Sequence, residues 1–201
     1  PSSEIQVLSP MKRGPLGCER LNEVLRDALN PKGSQAELIY GRTIFREGDR
    51  VMQCRNNYDL DVMNGDIGQI DRIHRNSENE TEIRVRFDGH TVRMSHEDLD
   101  DLAPAYAITI HKSQGGEYPA VVMALNYGHY MMLNRNLIYT GITRAKQSLS
   151  IIGEFRALSH AVRNEATGAR ARWTALGQFL KERKEGAENA FQLDFTSCGP
   201  S

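Results

Sequence analysis

Residues 105–117, Ala-Tyr-Ala-Ile-Thr-Ile-His-Lys-Ser-Gln-Gly-Gly-Glu, concentrate donor side chains where backbone can close on a charged ligand. Tyr106 to Ile110 is rich in β-branched and aromatic residues and predicts a strand. His111 to Gln114 is polar, and the pair Gly115 and Gly116 permits close backbone approach. The apolar run Ala120 to Leu125 predicts a second, buried strand. Strand, polar loop with a glycine pair, then strand is how open α/β sheets build ligand sites at strand ends. An ordinary turn after a buried strand has the same signature. The other reactive residue is Arg144, in line with Leu133, Leu137 and Thr140 on a helix expected over 133–146. A guanidinium among leucines calls for an anionic partner.

The elements that would position these residues are readable in outline. Ile5 to Leu8 predicts a strand, and a helix follows from Leu16 to Leu29, with Pro15 in its first turn and Asn30-Pro31 as its stop. Lys12 and Arg13 ahead of it suit a phosphate or a solvated loop. Gly33 to Gly41 is linker-like, and Arg50 to Cys54 is a strand. From Ile67 to Met94 short alternating segments predict antiparallel strands, Ile67 to Ile73, Glu82 to Phe87 and Thr91 to Met94, with hairpin signals at Asn64-Gly65-Asp66 and Asp88-Gly89. Helical pattern stands before this region and resumes after it, so it reads as a small β-barrel inserted into an α/β domain. Gln147 to Gly153 predicts a strand, Phe155 to Arg163 a helix, and the stretch around Trp173, Leu176 and Leu180 a last helix.

Composition narrows the class. The chain has 201 residues, 39% hydrophobic and 25% charged, with no apolar run of membrane-spanning length, which predicts a globular protein away from membranes. Cys18, Cys54 and Cys198 show neither disulfide nor zinc spacing and predict reduced thiols in a cytoplasmic protein without a metal site. A net charge of -1 means that any nucleic-acid contact uses a local surface.

Two phrases then carry a resemblance. Thr109-Ile-His-Lys-Ser-Gln-Gly-Gly-Glu117 resembles motif V of superfamily 1 helicases, and Leu137-Ile-Tyr-Thr-Gly-Ile-Thr-Arg-Ala-Lys146 resembles their motif VI. Leu8-Ser-Pro-Met-Lys-Arg-Gly-Pro-Leu-Gly17, Gly48-Asp-Arg-Val-Met-Gln53, Asn56-Asn-Tyr-Asp59 and Asn64-Gly-Asp66 are similar to the RecD/TraA branch, whose members are 5′→3′ DNA helicases. Gly116 stands where a serine is more usual and Gly141 where an alanine is more usual.

The resemblance implies a second RecA-like domain of the P-loop NTPase type over 1–56 and 103–184, an inserted SH3-like barrel over 57–102, and a flexible tail over 185–201. ATP with magnesium would be shared with an upstream RecA-like domain. Arg144 would be the arginine finger, Gly115, Gly116 and Glu117 would contact the nucleotide, and Glu117 would accept from the ribose hydroxyls. Thr109, His111, Lys112, Ser113 and Gln114 would meet a single DNA strand, with Asn57, Tyr58, Asn64 and Asp66 at the barrel's DNA-facing edge. For Tyr58 core packing, and for the polar turn residues simple turn formation, explain the same sequence.

A phosphate cradle Gly-x-x-x-x-Gly-Lys-Ser/Thr requires a Gly-Lys pair, and none occurs in the sequence, nor does an apolar strand ending in Asp-Glu. The expected protein is therefore the C-terminal motor half of an ATP-dependent DNA helicase, inactive alone. A helicase portion of a conjugative relaxase or nuclease complex and a non-catalytic DNA-binding module are the alternatives. Gln192-Leu193-Asp194-Phe195 is faintly like peptides that dock on sliding clamps, which would give the tail a protein partner.

Overall fold

The computed structural model describes residues 4–75 and 81–164. Strands β1 (Ile5–Ser9), β9 (Ala107–Thr109), β10 (Tyr118–Leu125) and β11 (Ala145–Gly153) form a parallel sheet in the order β11-β10-β1-β9. β10 is central and apolar along its length, as a strand covered on both faces must be. Helices α1 (Cys18–Leu29), α2 (Arg135–Ile142) and α3 (Phe155–Arg163) accompany the sheet. Leu8, Ile108, Ile110, Met123, Leu125, Leu137 and Ala157 meet in its buried core.

A second core lies inside a five-stranded antiparallel sheet of order β7-β6-β5-β4-β8. Its strands are β4 (Arg50–Gln53), β5 (Ile67–Arg75), β6 (Thr81–Arg86), β7 (Thr91–Met94) and β8 (Leu102–Pro104). Ile70 and Ile73 are three residues apart, so strict alternation would send them to opposite faces. A register shift between Ile70 and Arg72 returns both to the core. β4 belongs to both cores: Val51 faces the antiparallel one and Met52 the parallel one.

Several expectations are corrected. The region 33–41 is more than a linker, because β2 (Glu37–Tyr40) and β3 (Thr43–Arg46) form a hairpin whose Leu38 and Phe45 join the second core. Paired strands of the antiparallel sheet reach from Arg50 to Pro104. Pro15 lies ahead of α1, whose cap is Gly17, because carbonyls of Met11 and Lys12 accept the N–H groups of Cys18 and Glu19. Asn64-Gly65 turns within the long β4–β5 connection, where Asp66 N–H donates to the Met63 carbonyl, and is not a two-residue hairpin. Asp88-Gly89 does close the β6–β7 hairpin. The helix expected over 133–146 is shorter. Asn134 caps it by accepting the Leu137 N–H at 2.9 Å, and after Thr143 the backbone is drawn into β11, where the Arg144 carbonyl accepts from Tyr118 N–H at 2.8 Å. The expected last helix, the tail and its clamp-like peptide lie outside the described residues.

Candidate functional site

The segment 109–118 leaves β9 and enters β10, two strands away in the same parallel sheet. Leu8 is level with Ile108 on one side and Met123 on the other. Thr109 is therefore about six residues further along the sheet than Tyr118, roughly 20 Å at 3.3 Å per residue. One loop thus runs from the C-terminal edge of the sheet back to its N-terminal edge.

Local bonds hold that loop in consecutive turns. Lys112 N–H donates to Thr109 Oγ1 at 3.2 Å, Ser113 N–H to the Thr109 carbonyl, Gln114 N–H to the His111 carbonyl and Gly116 N–H to the Ser113 carbonyl. Gly115 has φ +86°, a conformation that L side chains resist, and a Cβ there would touch nothing, so the glycine serves the backbone rather than a tight space. Ser113 is fully buried and its hydroxyl donates to the Ile110 carbonyl at 2.8 Å, which turns it away from any ligand. His111, Lys112 and Gln114 are exposed, and Thr109 is half-buried.

At the C-terminal edge the loop reaches the antiparallel region. Lys112 Nζ donates to Asn64 Oδ1 at 3.3 Å, Asn64 N–H donates to Asn56 Oδ1 at 2.9 Å, and Asn56 Nδ2 donates to the Tyr58 hydroxyl at 3.2 Å. Tyr58 is 75% exposed, so it packs in no core and presents a ring to solvent. Asn57 is half-buried and holds the turn itself, donating to Asp98 and accepting the Leu60 N–H. Asp66 accepts the Met63 N–H at 2.7 Å. Lys112, Asn64 and Tyr58 therefore share one surface, while Asn57 and Ser113 support it from within.

At the opposite edge Arg144 sits against the glycine pair. Its Nη1 donates to the Gly116 carbonyl at 2.8 Å, Nε to the Thr140 carbonyl at 3.1 Å and Nη2 to Thr143 Oγ1 at 3.1 Å. The expected anionic partner is absent among the described residues: carbonyls orient the guanidinium and leave its charge unneutralised. Glu117 is exposed and pairs with Lys146 at 3.2 Å. A pair this exposed is worth about 0–1 kcal/mol and exchanges readily for another partner. Half-buried Tyr118, at the start of β10, has its hydroxyl pKa raised by desolvation, against the opposing charges of Arg50 and Arg144. Gly141 of α2 packs on the sheet core: a Cβ there would lie 2.5 Å from Met123 Cε and 3.6 Å from Ile110 Cδ1, so Met123 occupies the space an alanine would need.

Two participants carry no role in the sequence reading. Asn56 and Lys146 both fall inside the quoted phrases, yet a polar turn residue and a surface lysine give no signal by type. Only the fold shows Asn56 linking Tyr58 to Asn64 and Lys146 facing Glu117.

Comparisons with known proteins bear on the family and the fold. Residues 21–87 match the SH3 domain of ATP-dependent RecD-like DNA helicases, and residues 104–152 match the UvrD-like helicase C-terminal domain. A Pif1 helicase from Bacteroides, solved with ADP-AlF3 and single-stranded DNA, superposes with a TM-score of 0.58 at 17% identity over 92% of this chain and 46% of its own. Pif1 from Candida albicans gives 0.56 at 16% identity over 91% and 50%. The parallel sheet and the two family matches are those of the C-terminal part of a superfamily 1 helicase. The ATP-dependent RecD2 DNA helicase of Deinococcus radiodurans is 36% identical over 172 residues, 86% of this chain and 23% of that protein. The RecBCD enzyme subunit RecD of Haemophilus influenzae is 28% identical over 182 residues, 90% and 26%. The chain belongs to the RecD-like helicases and matches their C-terminal part. It spans about a quarter of the length of these relatives.

Proposed function

We propose that this chain is the C-terminal motor portion of an ATP-dependent, 5′→3′ DNA helicase, donating an arginine finger and part of a single-strand track. The observation that carries this reading is the 109–118 loop, with exposed His111 and Lys112 at one sheet edge and Glu117 beside Arg144 at the other. Arg144 suits a γ-phosphate because its guanidinium is aimed by carbonyls and keeps its full charge. Glu117 exchanges Lys146 for ribose hydroxyls, and the backbone of Gly115 and Gly116 lies against the nucleotide. ATP supplies the phosphoryl group whose transfer drives movement. Among the described residues no three His, Cys, Asp or Glu side chains gather as a metal would need, and we assign none of them to magnesium. A RecA-like domain elsewhere in a longer protein supplies the phosphate cradle. In this reading the antiparallel region is an insertion within the second RecA-like domain, and its Tyr58 and Asn64 line the strand's path.

The reading predicts that the chain alone hydrolyses no ATP and that a longer protein containing it does. Arg144→Ala in that protein lowers the DNA-stimulated ATPase by roughly 10³-fold or more while DNA affinity stays within a fewfold. ATPase retained near wild-type rate in Arg144→Ala would sink the finger assignment. The second reading, a motor portion within a multisubunit nuclease, draws on the name of the Haemophilus relative. It is distinguished by whether the longer protein copurifies with nuclease subunits.

A further inference from the structure

The strip of the sheet edge beyond the 109–112 loop has its own chemistry. β9, β1, β10 and β11 are parallel, so Thr109, Ser9, Leu125 and Gly153 all end at the same edge. The residues after Leu125 and Gly153 build a groove of about 540 Å³ lined by Tyr127, Phe155, Arg156, Ser159, His160 and Arg163. Neighbouring strands are about 4.8 Å apart, which sets this groove roughly 10–15 Å along the edge from Thr109. We propose that the groove is a second single-stranded DNA contact, in which bases stack on Phe155 and on Tyr130 beside the groove's Tyr127, and phosphates meet Arg156 and Arg163. The proposal rests on the DNA-track reading above.

Three observations carry it. First, the aromatic rings form a prearranged platform. Tyr127 stacks on Tyr130 at 6.1 Å, and the His160 ring stands edge-on to both. The Arg156 guanidinium lies 4.2 Å from the Tyr127 ring centre, while Phe155, at the first position of α3, is 82% exposed. Second, positive charge outweighs negative at the groove. Arg156 and Arg163 are exposed and neither is ion-paired among the described residues, while the adjacent Glu154 carboxylate accepts the Tyr127 N–H at 3.2 Å. Aromatic faces beside unneutralised arginines suit a polyanion with π-faces better than an apolar helix. Third, further basic residues lie near the groove. The loop after β1 touches the Tyr127 turn, since a Cβ on Gly14 would be 3.6 Å from His129 Nε2. Lys12 and Arg13 on that loop share the single carboxylate of Glu19, at 3.9 and 3.7 Å.

The test uses the 201-residue chain, a 5-iodouracil-substituted oligothymidine photo-crosslinked to it, and anisotropy titrations at several salt concentrations. Crosslinked peptides containing Tyr130 or Phe155, together with a roughly tenfold loss of affinity in Phe155→Ala, are expected. Arg163→Gln should lower the slope of log K against log salt by about 0.7, one phosphate contact on a single strand. Crosslinks confined to 109–112, with both variants binding as wild type, overturn the groove and leave the loop reading intact. That is also the outcome if a protein occupies the groove. Absence of DNA binding and of crosslinks overturns both. Both substituted side chains are exposed, and far-UV circular dichroism checks that each variant folds.

Discussion

At the scale of single residues, His129 shows what burial does beside the sheet edge. Its ring is almost fully buried between the loop after β1 and the turn after β10, neither nitrogen finds a partner among the described residues, and burial lowers its pKa. The folded state therefore keeps the ring neutral where the unfolded chain begins to protonate near its ordinary value of about 6.5. Below that pH the unfolded state binds more protons, so stability falls as pH drops through the window between the unfolded and the lowered folded pKa. His129→Phe should remove this loss, which amounts to at most about 1.4 kcal/mol per pH unit for one group. Urea unfolding at neutral and mildly acid pH checks it; equal pH sensitivity in variant and parent would mean that the buried ring binds its proton in the fold. By contrast, the Cys18 thiol, pushed up to about 12 by burial, is inert packing.

At the scale of elements, α1 does more than cover the sheet. β9 is an edge strand, and an edge exposes unpaired backbone groups. Asn22 of α1 closes that edge: its Nδ2 donates to the Ala107 carbonyl at 2.8 Å and its Oδ1 accepts the Ala107 N–H at 2.8 Å. Asn22→Ala leaves a buried donor and acceptor unpaired, and should cost about 2–3 kcal/mol in chemical denaturation. Because β9 delivers Thr109, the proposed track has the same variant weaken single-strand binding as well. A change under about 0.5 kcal/mol would show that water replaces the side chain.

Much at this scale was legible in the sequence: the strands around Ile5, Ile67, Thr91 and Val121 and the helix from Phe155 follow from alternation and apolar runs. The β2–β3 hairpin was hidden because Glu-Leu-Ile-Tyr is short and glycines flank it, and β8 because three residues carry no period. Of the candidate site, the resemblance to motifs V and VI singled out Arg144, Glu117 and the polar residues of 109–114. What sequence could not give was direction. Ser113 and Lys112 are neighbours of similar polarity, yet the turn sends one hydroxyl into the core and one ammonium across to Asn64.

At the scale of the whole molecule, β4 decides whether the two cores behave as one. Val51 and Met52 are consecutive, and strand alternation sends the first into the antiparallel core and the second into the parallel one. Tyr106, just ahead of β9, adds a polar tie: its hydroxyl donates at 3.0 Å to Asp49, which also accepts from Asn30 and the Arg46 N–H. Desolvation raises the Asp49 pKa, a sign that the junction is packed rather than wet. Neither core can then open without exposing one face of the strand that the other core also holds. Residues up to 165 should unfold in a single transition, with circular dichroism and tyrosine fluorescence superimposing. Met52→Ala should lower the midpoint of that one transition, at a cost of about 2–4 kcal/mol, without splitting it. Two separated transitions in the variant would mean that the antiparallel region is only tethered to the parallel sheet. In that case the Lys112–Asn64 bond could not transmit strain from a DNA strand to Arg144, because the surface at one end would move freely relative to the other.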